Sequence, residues 1–197
     1  MNDQPDLGAL IVSRICHDLI SPLSAIGNGV ELLEMTTPPG PELSLISESV
    51  ENAVARIRFF RFAFGAASAD QLVGRSEIVS MLDALSRSGR LRYDWEVAED
   101  VPRDRLKLAM LLAACTEQAL PQGGRIVFAG QADALRLSAH GPKVRPDPDA
   151  WERLRHGTVS PQAKAGEAQF AIAAAMLRLS ARPLWIETGE HGVEIGF

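Results

Sequence analysis

The feature that most constrains this chain is a repeating apolar pattern in its N-terminal part. Apolar residues recur there at alternating steps of four and three, which is the a/d repeat of a helix that packs along a coiled-coil-like seam. The repeating positions are Val12, Cys16, Leu19, Leu23, Ile26, Val30 and Leu33. The pattern predicts a first helix from about Asp6 to Met35, about 45 Å long at 1.5 Å per residue.

His17 lies beside this repeat and not on it. With Cys16 and Leu23 counted as a positions, His17 takes position b and Ser21, one turn later, takes position f, so both face outward. Pro22 follows within the same helix, where a proline costs roughly 3 kcal/mol because it removes a backbone donor and crowds the preceding turn. We therefore expect a reason other than helix stability for this proline.

The stretch from His17 to Leu23 reads His-Asp-Leu-Ile-Ser-Pro-Leu and resembles the phosphoacceptor box of sensor histidine kinases. The longer run from His17 to Leu33 is more specifically similar to the ChpT-type histidine phosphotransferases of alphaproteobacteria. This resemblance implies that His17 accepts a phosphoryl group. The alternative is a surface histidine beside a helix kink, without a chemical role.

A second helix is predicted after a proline-rich break at residues 36–41. Its apolar residues also recur at steps of three and four: Leu43, Ile46, Val50, Ala53, Ile57, Phe60 and Phe64. Two long helices with so short a connection must lie antiparallel. Other apolar residues call for a second contact face: Ile15, Ile20, Leu32, Leu45, Val54, Phe59 and Phe62. A homodimer, closed as a four-helix bundle, would bury them, and packing against the C-terminal half of the same chain is the alternative.

Helical and strand patterns alternate after a small-residue linker, so we expect a hairpin domain at 1–67 and a second domain at 72–197. The predicted helices are 76–87 with Ser76 as cap, 104–120, a short one near 151–154, and 169–180. The predicted strands are 91–97, 125–129, 134–139, 183–187 and 193–197. The fold class is therefore α+β, a helical hairpin followed by a two-layer α/β sandwich with a mostly antiparallel sheet. This order resembles the ATP-binding domain of histidine kinases.

Charge and composition narrow the set of partners. The 197 residues include 20 basic and 25 acidic ones, and the net charge of −5 argues against broad contact with nucleic acid or an anionic membrane. The N-terminus is acidic and no apolar run is predicted to span a membrane, so we expect a cytoplasmic protein. Cys16 and Cys115 lack the spacing of a zinc site, and no metal site is expected.

Positions that bind nucleotide in the kinases carry other residues here. When the chain is aligned on the turn at 121–124, Cys115 replaces the magnesium-binding asparagine, and Ala139 and Lys143 replace the aspartate and second glycine of the adenine-binding motif. The lid segment keeps only Gly166 and carries Glu167 where phosphate would approach. A thiol suits magnesium poorly, because that ion prefers oxygen. The resemblance thus implies a degenerate ATPase-like domain with no cofactor of its own.

Without nucleotide, the resemblance implies that His17 takes its phosphoryl group from the receiver domain of a hybrid histidine kinase and passes it to a response regulator. The Mg²⁺ for both transfers would belong to the receivers. Asp18 either fixes the tautomer of His17 or is only a solvated acid. Ser21 either contacts the phosphoryl group or only relieves the proline kink. A non-catalytic dimeric adaptor and an ATP-dependent histidine kinase are the competing functions.

The hairpin register predicts where a receiver docks. With the turn between Pro38 and Pro39, residue 60 lies level with His17, and apolar anchors with a basic rim are expected beside it. The residues of this predicted docking surface are Arg14, Ile20, Arg58, Phe59, Arg61 and Phe62. Phe59 and Phe62 are expected to be exposed, and the alternative is that the C-terminal domain folds over them.

Overall fold

An antiparallel helical hairpin followed by an α/β layer makes up the computed structural model, which describes residues 6–38, 40–180 and 184–197. The helices are α1 (Leu7–Thr36), α2 (Pro41–Phe64), α3 (Arg75–Ser88), α4 (Arg103–Ala119), α5 (Pro148–Arg155) and α6 (Ala168–Ser180). The strands are β1 (Leu72–Val73), β2 (Leu91–Trp95), β3 (Val101–Pro102), β4 (Gly124–Gln131), β5 (Ala134–His140), β6 (Trp185–Thr188) and β7 (Gly192–Gly196). The predicted α+β fold class is confirmed.

The differences from the predicted elements are small. Helix α3 begins at Arg75 after Gly74, so the prediction that Ser76 caps it is wrong. Strands β1 and β3 pair antiparallel as a separate ribbon that the sequence did not reveal, because each has only two residues. Pro183, the predicted start of a strand, lies outside the described residues.

The hairpin has the predicted register. A Cβ added to Gly27 on α1 would lie 3.5 Å from Val50 Cγ1 on α2, and the backbone N–H of Ala66 donates to Ser13 Oγ across 3.0 Å. The first pair is centred between residues 38 and 39, as predicted, and the second is centred one residue further along the chain. Asp6 starts α1 by accepting from the backbone N–H of the third helical residue at 3.0 Å.

The a and d positions of α1 have different environments in the single chain. The a positions Cys16 and Val30 are buried, whereas the d positions Leu19, Ile26 and Leu33 stay exposed and the d position Val12 is half-buried. Leu19 is 47% exposed, Ile26 50% and Leu33 53%. A second apolar row therefore remains open along one side of the hairpin.

This apolarity makes α1 long and hydrophobic enough to cross a membrane by length and composition alone. The expectation that no segment meets that test was therefore wrong for α1. One such helix is weak evidence for a membrane span, because the apolar helices of soluble proteins and signal sequences pass the same test.

A mixed five-stranded sheet forms the second part of the fold, in the order β2-β4-β5-β7-β6. Strands β2 and β4 run parallel, and the other neighbours are antiparallel. Alternate residues of β4 and β5, such as Phe128 and Leu137, are completely buried and belong to the same apolar cluster as α4. This cluster continues into the C-terminal half of α2, so the hairpin and the α/β layer share one core.

Two buried cations of α4 bind the C-terminal end of α2. Arg103 donates from Nη1 to Phe62 O at 2.9 Å and from Nη2 to Arg61 O at 2.6 Å, and Lys107 Nζ donates to Gly65 O at 2.8 Å. Burial lowers the pKa of Arg103 to about 10 and also lowers the pKa of Lys107. Arg103 remains a cation at neutral pH. The bonds to Phe62 O and Gly65 O give partners to carbonyl groups at this helix end, and Arg61 O also accepts from the backbone N–H of Gly65.

We expect Arg103→Ala to lower the free energy of unfolding by about 3 kcal/mol, because hydrogen bonds to a charged group contribute about 1.5–3 kcal/mol each. Chemical denaturation followed by circular dichroism measures this loss. Arg87→Ala is the matched control, since Arg87 is exposed and its bond to Glu51 is long, at 3.4 Å. A loss from Arg103→Ala no larger than that of the control would show that the capping does not hold the two parts together.

Candidate functional site

His17 lies near the middle of α1 with its side chain 78% exposed. Ser21 is exposed one turn later, and Pro22 lies inside the same helix. The predicted outward orientation of His17 and Ser21 is therefore confirmed. The imidazole is open to another macromolecule, while its neighbour Cys16 is buried in the hairpin.

A short chain of hydrogen bonds orients the imidazole. Nδ1 of His17 lies 3.2 Å from Oδ1 of Asp18, and Nε of Arg14 donates to Oδ2 of Asp18 at 2.8 Å. These two hydrogen bonds, the one from His17 first, lower the pKa of Asp18. An ionised carboxylate only accepts hydrogen bonds, so this arrangement puts the imidazole proton on Nδ1. The lone pair of Nε2 is then free to attack an electrophile.

Residues of the hairpin at the level of His17 line a small cleft against α3. The cleft has a volume of about 290 Å³, and Ile20, Arg58 and Arg61 of the hairpin form one wall. Glu77 of α3 accepts from Arg61 Nη2 at 3.3 Å. An apolar side chain and two guanidinium groups therefore lie beside the histidine.

Comparison with known proteins gives the family. Residues 75–192 match the sequence profile of the histidine phosphotransferase C-terminal domain, which is more than half of the chain. The chain belongs to the histidine phosphotransferase family. Protein phosphotransferase ChpT of Brucella abortus (strain 2308) is 40% identical over 123 residues, which are 61% of this chain and 59% of that relative. A solved structure of a bacterial phosphotransferase shares 25% identity over 97% of this chain and 95% of its own, with a TM-score of 0.65.

Two residues of the predicted docking surface are not at the surface of this family member. Phe59 is completely buried and Phe62 is 4% exposed, so the prediction that they are exposed anchors is wrong. They face the α/β core, where the guanidinium of Arg103 lies 4.9 Å from the centre of the Phe62 ring. The alternative, that the C-terminal half covers these aromatic rings, is the one observed.

The sequence did carry a signal for this burial. Ala55, Phe59 and Phe62 follow one another at steps of four and three, which marks a second buried stripe on α2. Phe60, which the heptad pattern assigned to the seam, is 41% exposed instead. It is the aromatic residue that shares the level of His17 at the surface.

The positions that align with the kinase nucleotide site are tightly packed. Cys115 and Ala139 are completely buried, and burial raises the pKa of the Cys115 thiol. A Cβ at Gly141 would lie 2.6 Å from Gly123 O and 2.9 Å from the Leu120 side chain. Across the described residues, no group of three or more His, Cys, Asp or Glu side chains could hold a metal.

The lid segment is also tied down. Gln118 of α4 donates from Nε2 to Gly166 O at 2.7 Å, and Gln169 donates to the same oxygen at 3.0 Å. Glu167, in the 3₁₀ turn before α6, pairs with Arg153 at 3.5 Å. The segment is therefore held by contacts within the protein.

We predict that Asp18→Asn shifts the tautomer balance of His17 away from the form protonated at Nδ1, by up to about fivefold, as expected for an exposed pair. The side-chain amide of asparagine can donate to Nδ1, which a carboxylate cannot do. Nitrogen-15 NMR of the imidazole at alkaline pH measures the balance.

Glu152→Gln is the matched control, because Glu152 bonds to the exposed His156 at 2.8 Å on α5. That variant should change the signals of His156 and leave those of His17 unchanged. An unchanged His17 tautomer in Asp18→Asn would remove Asp18 from the mechanism.

Proposed function

We propose that this chain is a histidine phosphotransferase of a bacterial phosphorelay. His17 accepts a phosphoryl group from the aspartyl phosphate of a receiver domain, supplied by a hybrid histidine kinase, and passes it to the aspartate of a response regulator. The observation that carries the proposal is an exposed histidine whose Nδ1 lies 3.2 Å from the carboxylate of Asp18, in a family member that has buried Cys115 and Ala139 in place of the kinases' nucleotide-binding residues.

In the first transfer, Nε2 of His17 attacks phosphorus in line with the bond to the aspartate oxygen. The N–P bond forms, the P–O bond breaks, and the aspartate leaves as a carboxylate. The imidazole keeps its Nδ1 proton and becomes cationic, and the carboxylate of Asp18 stabilises that charge across 3.2 Å. Mg²⁺ held by the receiver would supply the charge neutralisation for the phosphoryl oxygens, and the proposal assigns no cofactor to this chain itself. The second transfer reverses these steps.

This role does not require ATP. Cys115 and Ala139 are buried and the backbone at Gly141 is closely packed, so these positions offer neither an oxygen ligand for magnesium nor a carboxylate for adenine, which supports a chain without ATP-dependent kinase activity. Titration with ATP and Mg²⁺ in a calorimeter tests this part of the proposal separately. Saturable heat of binding would favour the competing kinase function.

The functional unit is a homodimer in which the open d rows of two hairpins meet. The row of Leu19, Ile26 and Leu33 would otherwise expose a contiguous apolar strip to water. Pairing two hairpins gives a closed four-helix bundle with two-fold symmetry. Burial of the row also accounts for the apolarity of α1 without a membrane, which supports a cytoplasmic location.

Receivers dock over the cleft beside His17. Arg14, Ile20, Arg58 and Arg61 remain from the predicted docking surface after Phe59 and Phe62 are removed from it. An acidic phosphorylation pocket on the receiver would meet the basic rim, and Ile20 would provide the apolar contact. The cleft has α3 as its second wall, so the α/β layer takes part in recognition.

We expect His17→Gln to abolish labelling by a phosphorylated receiver, because glutamine has no imidazole lone pair to attack phosphorus. The free energy of unfolding should change by less than about 0.5 kcal/mol, since the side chain is exposed. Transfer from a radiolabelled receiver and denaturation are measured on the same preparation. His156→Gln, a change of another exposed histidine, should label normally. Labelling of His17→Gln at the wild-type level would exclude His17 as the acceptor.

Ile26→Glu should convert the dimer to monomer. Two charges would be buried in the paired bundle without partners, which should raise the dissociation constant about a thousandfold or more. Sedimentation equilibrium gives the mass. Leu179→Glu is the matched control, because Leu179 is 81% exposed on α6, away from the hairpin. A wild-type chain that is monomeric at micromolar concentration would refute the four-helix bundle.

Arg58→Ala should slow phosphotransfer about three- to tenfold when the receiver is below saturation, because a charge at the rim of an interface mainly affects association. The loss should shrink at high salt. Stopped-flow mixing with a labelled receiver measures the rate, and Arg178→Ala, an exposed arginine of α6, is the control. Equal rates for the two variants would move the docking site away from this cleft.

A further inference from the structure

A second cavity lies towards the edge of the five-stranded sheet that is opposite strand β2. Its volume is about 600 Å³, and it is bounded by the first turn of α4, the β4–β5 turn and the strands β6 and β7. The polar and aromatic side chains around it belong to Arg105, Asp133, Arg136, Trp185 and Phe197. None of these residues has a part in the chemistry of His17.

Arg105 is the unusual member of this set. Its side chain is 5% exposed, and its Nη2 group donates to the backbone oxygen of Asp133. Its Nη1 group is fully buried and has no hydrogen-bond acceptor within the described parts of the chain. A buried charged donor without an acceptor is costly, and such a group in a folded protein calls for an explanation.

Arg136 and Trp185 extend the same cavity outward. The guanidinium of Arg136 lies 5.6 Å from the centre of the Trp185 ring, so the ring orients it. Trp185 is 40% exposed on the edge strand, and its indole lies directly over Gly196, where a Cβ would leave no space for it. The cavity therefore combines a buried and an exposed guanidinium group with an aromatic wall.

The charge around the cavity favours an anion. The lining has two guanidinium groups and one side-chain carboxylate, that of Asp133. Guanidinium groups present parallel N–H donors that match the two oxygens of a carboxylate or a phosphate. We propose that this cavity binds a carboxylate or phosphate oxyanion, with Arg136 as the donor at the rim and the buried positive charge of Arg105 beneath it.

The test follows the indole N–H signal of Trp185 by NMR while sodium phosphate or sodium acetate is added, each against sodium chloride at equal ionic strength. Trp95 and Trp151, which are buried elsewhere, provide internal controls. A saturable shift of Trp185 alone is expected with at least one of the two anions. A saturable shift with phosphate alone would identify the ligand as a phosphate group. A saturable shift with acetate alone would identify it as a carboxylate.

Arg136→Ala should weaken the saturable binding at least tenfold, and Arg105→Met should abolish it. If Arg105→Met does not fold, anion binding by Arg136→Ala alone tests the proposal. Arg90→Ala, a change of an exposed arginine on the other side of the sheet, should bind as the wild type does. Shifts equal to those in chloride, or unaltered in Arg136→Ala, would overturn the proposal and leave a water molecule as the partner of Arg105.

Discussion

The capping of α2 by Arg103 and Lys107 fixes how the two parts of this structure fit together. A helix end leaves its last carbonyl groups without donors, and burying such an end requires partners. Three backbone oxygens at this end, on Arg61, Phe62 and Gly65, accept from Arg103 and Lys107 of α4, and that of Arg61 also accepts from the backbone N–H of Gly65. Because α1 is paired with α2 along its length, the same contacts determine where His17 lies relative to the α/β layer.

A second contact, one to two turns nearer the N-terminus of α2, prevents this helix from rotating about its C-terminal end. Arg56 Nη1 lies 3.1 and 3.0 Å from the two carboxylate oxygens of Glu117 on α4. The hydroxyl of Tyr93 on β2 donates to Glu117 Oε1 at 2.7 Å, and burial together with the nearby carboxylate raises the pKa of that hydroxyl. With both contacts in place, one face of α2 packs in the core and the other packs against α1. Phe59 and Phe62 are on the face that packs in the core.

The sequence predicted the elements and the hairpin register because both depend on local patterns. The four-three spacing determines where α1 lies, and the prolines near residue 38 determine where the chain turns. The orientation of α2 was harder to predict. The stripe of Ala55, Phe59 and Phe62 marks a second contact face, but aromatic residues at such positions suit a docking surface as well as a core. The deciding residues, Arg103 and Lys107, have the residue types of an ordinary solvated helix start, and only the fold shows them buried.

The sequence predicted the exposure of single residues on α1 most accurately, and it predicted the residues around His17 least accurately. His17 and Ser21 are at the surface because positions b and f of a paired helix are outward in any arrangement of its partners. Asp18 was uncertain because adjacent helical residues diverge by about 100°, and the structure closes that gap through side-chain rotation assisted by Arg14.

In the proposed relay the α/β layer binds no nucleotide. The positions of Ile20, His17 and α3 give this layer another role. Around α1, position e, occupied by Ile20, lies between the a row on α2 and position b of His17, whereas the d row lies on the far side of the a row. A second hairpin packed on the d row would leave His17 accessible. On the side next to Ile20, α3 forms the opposite wall of the cleft. A hairpin alone would offer a receiver one wall. With Arg103, Lys107 and Arg56 holding α2, the α/β layer provides the other wall at a fixed position beside the histidine.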